Sequence, residues 1–224
     1  MKPNGMKPGI NLLLLLAIVF APHSAGGQEQ WRSLFDGKSL KGWKANVHPE
    51  SFSVVDGVIR ARSVKDRSHL FYVGEKTDGF ERFKNFELEA TARGEPKSNS
   101  GIFFHTDFAV RDQLNHLANG YEVQLNSSPT DPRKTGSLYA VVDLDKSPVD
   151  ERQWFKVHLT VKGKQIIVRI NEQVVIDYTE PEQLVRPPER AGRRLNPAGG
   201  AIALQAHDPD STFYFKDIRI RPLP

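Results

Sequence analysis

The 224-residue sequence contains no cysteine. This absence excludes disulfide bonds, thiolate metal sites and any lipid anchor that needs a cysteine at the cleavage point. An excess of one charge is lacking too, because 31 lysines and arginines face 27 aspartates and glutamates. Nucleic-acid-binding domains usually present a clustered basic surface, so we predict no nucleic-acid partner. With 38% hydrophobic and 26% charged residues, the composition is that of a globular protein.

The first 25 residues have the pattern of a secretory signal peptide. Lys2 and Lys7 give a positive start, residues 10–21 form an apolar run, and small residues follow as far as Ala25 and beyond. The run is shorter than the ~20 residues that span a bilayer, so we predict cleavage after Ala25 and no membrane anchor. Residues 26–224 are then expected to form one exported domain, periplasmic or secreted.

Short β-rich segments separated by turn residues fill the rest of the chain. The clearest is a hairpin at Asp56-Gly57, since this dipeptide favours the tight turn that joins two strands. We predict about eleven strands, with no helix of domain size, and this pattern is typical of an all-β sandwich or jelly roll of antiparallel sheets. The predicted segments are 51–62 (two strands), 86–93, 101–106, 121–126, 136–142, 154–162, 165–170, 173–178, 201–207 and 212–221.

Alternation along three strands predicts a polar face on one sheet. The odd positions of 121–126 are apolar and are expected to face the core, and the same argument applies to 102 and 104 and to the even positions of 201–206. The polar residues left on the opposite face are Glu122, Gln124, Asn126, Gln205, His207 and His105. Every antiparallel sheet has a solvated face, but such faces favour Lys, Ser and Thr over this set of His, Gln and Glu. A functional site and a plain solvated face both stay open.

Seven short motifs follow one another along the predicted mature chain. They are LFDGKSLKGW (34–43), NFELEATAR (85–93), SNSGIFFH (98–105), GYEVQLN (120–126), TGSLYAV (135–141), AIALQAH (201–207) and FKDIRIRPL (215–223). Together they resemble the 3-keto-disaccharide hydrolase family. The resemblance implies a concanavalin A-like jelly-roll sandwich of two antiparallel sheets with its site on the concave sheet. It also implies a carbohydrate substrate, a glycoside whose sugar has a ketone at C3, cleaved by elimination and then addition of water.

Two positions depart from the family pattern. The family usually has an arginine after SGIFF, where this sequence has His105, and an acid after the YEVQ segment, where it has Asn126. The first change bears on substrate recognition or on the type of ligand bound.

Glu122 is the one carboxylate on the polar face of its own strand, because Gln124 and Asn126 are amides. Retaining glycosidases need two carboxyl groups about 5–5.5 Å apart, so ordinary retaining hydrolysis from this strand is disfavoured. A second carboxylate from another strand, such as Glu89, stays open. Elimination from a 3-keto sugar instead needs a base, an acid and a group that holds the enolate oxygen.

We therefore predict Glu122, His207 and His105 as catalytic residues. The predicted substrate-binding residues are Gln124, Gln205, Tyr139, Asn126 and Glu89. Two histidines and a carboxylate also form a known open-site metal set, so a divalent metal on Glu122, His105 and His207 is an alternative, with no other cofactor indicated. The Arg193-Arg194 pair is predicted to lie on the surface of a long loop.

A non-catalytic carbohydrate-binding, lectin-like module is the second functional hypothesis, because the sandwich fold does not determine function. Such a module should present exposed aromatic side chains and few titratable groups. A glycoside-cleaving hydrolase or lyase should instead bring Glu and His together in a cleft.

Overall fold

A computed structural model describes Met1, Gly5 and residues 30–224 of the chain. Apart from Met1 and Gly5, the predicted signal peptide and its cleavage position lie outside the described residues. The described part contains two short 3₁₀ helices, Pro49–Ser51 and Pro188–Arg190. None of its helices has the length and apolar character of a membrane span.

Thirteen strands occur in the described residues. In chain order they are β1 (Arg32–Ser33), β2 (Trp43–Ala45), β3 (Phe52–Val55), β4 (Val58–Ala61), β5 (Ser68–Tyr72), β6 (Phe86–Gly94), β7 (Asn99–Thr106), β8 (Tyr121–Asn126), β9 (Phe155–Lys162), β10 (Gln165–Ile170), β11 (Gln173–Thr179), β12 (Ala201–Ala206) and β13 (Phe213–Pro222). The predicted hairpin is confirmed, because β3 pairs with β4. Its turn residues Asp56 and Gly57 both have positive φ, 49° and 79°, as a tight hairpin turn requires.

The strands form two antiparallel sheets. The larger has the order β11-β10-β9-β6-β13-β4-β3, with β1 also paired to β13, and the smaller has the order β2-β5-β12-β7-β8. A hydrophobic core joins the two, with Phe86 and Leu88 from the larger sheet and Phe104, Val123 and Leu204 from the smaller. The predicted all-β sandwich of antiparallel sheets is therefore confirmed.

One predicted strand is absent and one five-residue strand was not predicted, for different physical reasons. Residues 136–142 form turns, because Ala140 has a left-handed φ of 58° and Leu138 makes only isolated bridges. The sequence pattern also does not predict β5, since all five of its residues are buried and it lacks the alternation of a strand with one exposed face.

The smaller sheet positions the polar face. Tyr121, Val123 and Leu125 belong to the core, as predicted, so Glu122 and Gln124 point to the other side of the sheet. A second apolar cluster, which includes Phe71, Phe103 and Leu117, lies on that other side. The loop that carries Leu117 therefore covers part of this face and buries some of its side chains.

Candidate active site

A cavity of about 260 Å³ lies on the face of the smaller sheet that points away from the core. Its floor includes Glu122 and Gln124 of β8, Gln205 of β12, and His207 directly after β12. The prediction that these four side chains face one cavity is confirmed, whereas their roles stay predictions. The walls come from loops and include Arg67, Arg111, Asp131, Tyr139 and Arg193.

Gly101 of β7 makes room for the Glu122 side chain. The register places Gly101 opposite Gln124, two pairs along from the pair that Glu122 makes with Phe103, so Gly101 and Phe103 lie on the same face of β7. A Cβ atom at Gly101 would lie 2.4 Å from Oε1 and 2.9 Å from Cγ of Glu122, closer than nonbonded atoms approach. The Glu122 side chain therefore lies across the backbone of β7, over the middle of the floor.

Gly101→Ala should displace the Glu122 carboxylate. We expect a loss of about 1–3 kcal/mol in the free energy of unfolding, as for other extra methyl groups in packed interiors. The same change in a Glu122→Ala background should have little effect, because the clashing atoms are gone. Urea unfolding of the wild type, both single variants and the double variant measures this coupling. An equal effect of Gly101→Ala in both backgrounds would contradict the interpretation.

Glu122 forms a buried ion pair with Arg193, which lies in the loop between β11 and β12. The Arg193 Nη2 atom is 3.1 Å from Oε2 of Glu122, and each side chain is only 6% exposed. Burial raises the pKa of Glu122 and the charge of Arg193 opposes that shift, while burial lowers the pKa of Arg193 itself. The predicted surface role of Arg193 is wrong, because this side chain is the counter-ion of the central carboxylate.

His207 is held between an acid and an arginine. Its Nδ1 is 2.6 Å from Oδ2 of Asp208, and its Nε2 is 3.0 Å from Nη2 of Arg67. A guanidinium group can only donate, so Nε2 accepts and the neutral ring has its proton on Nδ1, donated to Asp208. This hydrogen bond lowers the pKa of Asp208. The pairing fixes the orientation of the imidazole, as a general acid–base group requires.

Gln124 and Gln205 present carbonyl oxygens without partners. The Gln124 amide nitrogen donates to Oδ1 of Asn99 at 3.1 Å, and that of Gln205 donates to Nε2 of His69 at 3.3 Å. Both carbonyl oxygens are buried and have no hydrogen-bond partner within the described part of the chain. Buried acceptors are normally satisfied, and sugar hydroxyls are donors of the right kind.

Tyr139 lies on the cavity wall among arginines. The Cζ atoms of Arg133, Arg190 and Arg193 are 4.8, 5.2 and 5.6 Å from the centre of its ring. Its backbone amide donates to the carbonyl of Glu122 at 3.0 Å, which holds this turn segment against β8. The structure therefore brings Tyr139 to the cavity as predicted, with its ring in contact with cations.

His105 does not reach the cavity, contrary to the prediction. One extra residue of β7 opposite β12 forms a β-bulge, and His105 has a left-handed φ of 52°. The bulge interrupts the alternation, so the ring stacks on Phe86 of the core. Its Nε2 lies 2.8 Å from the carbonyl oxygen of Lys84, and its Nδ1 accepts from the amide of Asn196 at 3.0 Å. Both nitrogens are thus occupied by main chain.

The alternative metal set is therefore not assembled. Glu122 and His207 share the cavity, but His105 lies on the other side of the sheet. Among residues 30–224, no group of three or more His, Asp or Glu side chains is arranged to hold a metal ion.

Asn126 and Glu89 also lie outside the cavity. Asn126 is on the same face as Glu122, but its side chain bonds to main-chain atoms of residues 128–133 and holds the loop after β8. Glu89 lies on the outer face of the larger sheet, where its carboxylate accepts from Arg219 at 2.7 Å. These positions correct the predicted contact of both residues with the substrate.

Sequence reasoning missed three residues that contact the central groups, namely Arg67, Arg193 and Asp208. Asp208 follows His207 directly, so its position in the chain was a usable signal. Arg67 and Arg193 are distant in sequence from their partners. The unusual length of the loop before β12 was the only pointer to Arg193.

The chain is similar to several known proteins. The 3-keto-alpha-glucoside-1,2-lyase-like domain matches residues 30–221. A 3-keto-disaccharide hydrolase of Bacteroides thetaiotaomicron is 25% identical over 234 residues, covering 85% of this chain and 78% of that protein.

Two solved structures share the fold. One is a Parabacteroides distasonis protein provisionally assigned as a glycosyl hydrolase, with a TM-score of 0.71, 21% identity and coverage of 87% of this chain and 94% of that one. The other is a Bacillus subtilis protein of unknown function with a galectin-like fold, with a TM-score of 0.57, 11% identity and coverage of 86% and 94%. They confirm the predicted concanavalin-like jelly roll. Because its match extends over residues 30–221, the chain belongs to the 3-keto-alpha-glucoside-1,2-lyase-like domain family.

Proposed function

We propose that the protein cleaves 3-keto-glycosides, including 3-keto-disaccharides, by eliminating the leaving group across C1 and C2 and then adding water. The observation that supports this best is the buried carboxylate of Glu122, set against Arg193 on a floor that also holds His207. The name of the 25% identical relative, a 3-keto-disaccharide hydrolase, is consistent with this chemistry.

The ketone determines what the site must do. It acidifies the hydrogen on C2, so Glu122 takes this proton and the electrons of the C–H bond form an enolate toward the C3 oxygen. The C1–O bond then breaks, a C1=C2 double bond forms, and the departing oxygen takes up a proton. In the second stage water gives its hydroxyl to C1 and a proton returns to C2, so that the two stages sum to hydrolysis.

The other cavity residues have matching roles in this proposal. In this proposal Arg67 turns from Nε2 of His207 toward the enolate oxygen, and His207, oriented by Asp208, begins the cycle protonated. Its Nε2 gives a proton to the departing oxygen in the first stage and takes a proton back from the water in the second. Arg67, which is half-buried, and Arg193, which is buried, supply positive charge for the enolate oxygen, and such charge acts more strongly where water is excluded. Gln124 and Gln205 accept hydrogen bonds from sugar hydroxyls through their unpartnered carbonyl oxygens.

Asp131 is a second carboxylate on the cavity wall and requires comparison with Glu122. Its Oδ1 accepts from the backbone amide of Arg133 at 2.9 Å, and its Oδ2 lies 3.4 Å from Nε2 of Gln124. Both oxygens thus have donors, whereas among residues 30–224 the Glu122 carboxylate has one side-chain donor, Arg193, and that donor bonds to Oε2. This difference favours Glu122 as the base and Asp131 as a support for Gln124.

The carbohydrate-binding module is supported less well. A lectin-like site would offer an open aromatic platform, but Phe103 is only 2% exposed and Tyr139 is surrounded by arginines. The cavity instead brings together a carboxylate, an imidazole and several guanidinium groups.

The decisive experiment compares a 3-keto glucoside with the same unoxidised glucoside in D₂O. The 3-keto compound should be cleaved at least about 10²–10⁴-fold faster, the range that a positioned base contributes. Its sugar product should gain deuterium at C2, because elimination and rehydration exchange that hydrogen. Cleavage with the original C2 hydrogen fully retained would indicate direct hydrolysis, and binding without any cleavage would favour the lectin-like module.

A further inference from the structure

Arg111, Arg190 and Arg193 lie close enough together at one side of the cavity to repel one another, and we call these three residues the arginine cluster. Arg111 and Arg193 line the cavity itself. Arg111 and Arg190 also line an adjoining cavity of about 610 Å³, so Arg111 stands between the two spaces. The guanidinium groups of Arg190 and Arg193 lie 5.2 and 5.6 Å from the centre of the Tyr139 ring.

Two donors of the arginine cluster lack acceptors. Nε of Arg111 and Nη1 of Arg190 are buried and have no hydrogen-bond partner among the described residues. A buried N–H group of a charged side chain that stays unpaired is strongly unfavourable, so such groups usually mark a missing acceptor. Two of them on neighbouring guanidinium groups indicate a place for one acceptor group with several oxygens.

Charge points the same way. Arg193 forms an ion pair with Glu122, but Arg190 makes no ion pair in the described part of the chain. Asp112 is 3.6 Å from Nε of Arg111, yet its Oδ2 already accepts from Nδ1 of His116 at 2.7 Å. The mutual repulsion of Arg111, Arg190 and Arg193 adds to burial in lowering the pKa of Arg111 and Arg193. Of the carboxylates that line the two cavities, namely Glu122, Asp131, Asp112 and Glu189, only Glu122 and Asp112 lie within ion-pair distance of the arginine cluster, and Asp112 also accepts from His116.

We propose that the arginine cluster binds an oxyanion carried by the sugar, a carboxylate or a sulfate, and that the substrates of this site are acidic saccharides. Planar guanidinium groups match such groups with paired, charge-assisted hydrogen bonds. Because the arginine cluster lies beside Glu122, the anion that it binds would belong to the substrate. The inference therefore depends on the proposed function.

Binding can be tested without turnover. We would titrate the wild-type protein with methyl glucuronide, glucose 6-sulfate and methyl glucoside, none of which has a ketone, by calorimetry. At least one anionic ligand should bind about tenfold more tightly than the neutral one, equivalent to about 1.4 kcal/mol. The preference should shrink at high salt, which screens the charges. A preference for one anion alone identifies which oxyanion the cluster takes. Equal affinity for all three ligands would overturn the proposal without any variant.

Variants locate the effect. Arg190→Gln should remove the preference for the anion and leave affinity for methyl glucoside unchanged. Arg152→Gln is the matched control, because this exposed arginine pairs with Asp150 and does not line the cavity. A preference that survives both Arg190→Gln and Arg111→Gln would overturn the assignment. Turnover of a neutral 3-keto glucoside, measured separately, shows whether the proposed function fails independently of this inference.

Discussion

Glu122→Gln should lower kcat for a 3-keto glucoside by about 10²–10⁴-fold, the contribution of a positioned general base. Glutamine keeps the shape of the side chain and its hydrogen bond to Arg193, but an amide cannot take the proton from C2. KM should change much less, because the two floor glutamines and the loops still contact the sugar. Steady-state kinetics on the 3-keto substrate measures both parameters.

The thermal stability of Glu122→Gln must be measured together with its kinetics. Removing one charge of a buried ion pair typically destabilises a protein by about 3–5 kcal/mol, because the other charge stays buried without a counter-ion. Thermal melts must therefore show that Glu122→Gln is folded at the assay temperature. The matched control is Glu89→Gln, since this carboxylate lies on the outer face of the larger sheet and should leave kcat unchanged. A folded Glu122→Gln variant with near wild-type kcat would rule out Glu122 as the base, and azide rescue of Glu122→Ala would indicate a nucleophile instead.

His69 should make the folded protein less stable in mild acid. It is completely buried on β5, and burial lowers its pKa to about 3. In the unfolded chain a histidine binds a proton below about pH 6.5, so between about pH 6.5 and 3 the unfolded state holds more protons than the folded state. The free energy of unfolding therefore falls with decreasing pH in this window, by about 2 kcal/mol between pH 6.5 and 4.5 from this group alone.

The comparison that isolates this effect uses His69→Gln. Glutamine keeps a polar side chain near Gln205 but has no titrating group, so the loss of stability between pH 6.5 and 4.5 should be smaller by about 2 kcal/mol in this variant. Urea unfolding at the two pH values gives the difference directly, and the other ionisable groups largely cancel between the proteins. His48→Asn, in a loop, is the control. Identical pH dependence of wild type and His69→Gln would show that His69 is protonated in the folded state.

Alternation was the most informative sequence signal, and it fails where the backbone departs from regular geometry. It correctly separates the core side of β8 from the side that holds Glu122 and Gln124. It misplaces His105 because a bulge of one residue cannot be detected from the pattern of side chains. It also leaves Glu89 open as a member of the same site, because the pattern of a strand does not indicate to which sheet the strand belongs.

The site residues that lie in loops could not be predicted from the sequence for a related reason. Arg193 meets Glu122 across 71 positions of sequence, and Arg67 meets His207 across 140. Such contacts are fixed by how a loop folds back over the sheet, and neither periodicity nor spacing within a strand describes that path. Asp208 could have been predicted, since it is next to His207 and acids often orient histidines.

The floor of the cavity is formed by strands and its walls are formed by loops. This difference determines which of its residues can change during evolution. A one-residue slip of β8 would bring Tyr121 and Val123 into the cavity and bury Glu122 in the core, so the floor tolerates neither insertion nor deletion. Loops accept changes in length at little thermodynamic cost. Lineages of this fold can therefore exchange Arg111 or Arg190 for other side chains, and change which saccharide they accept, while the proton-transfer residues beneath stay in register.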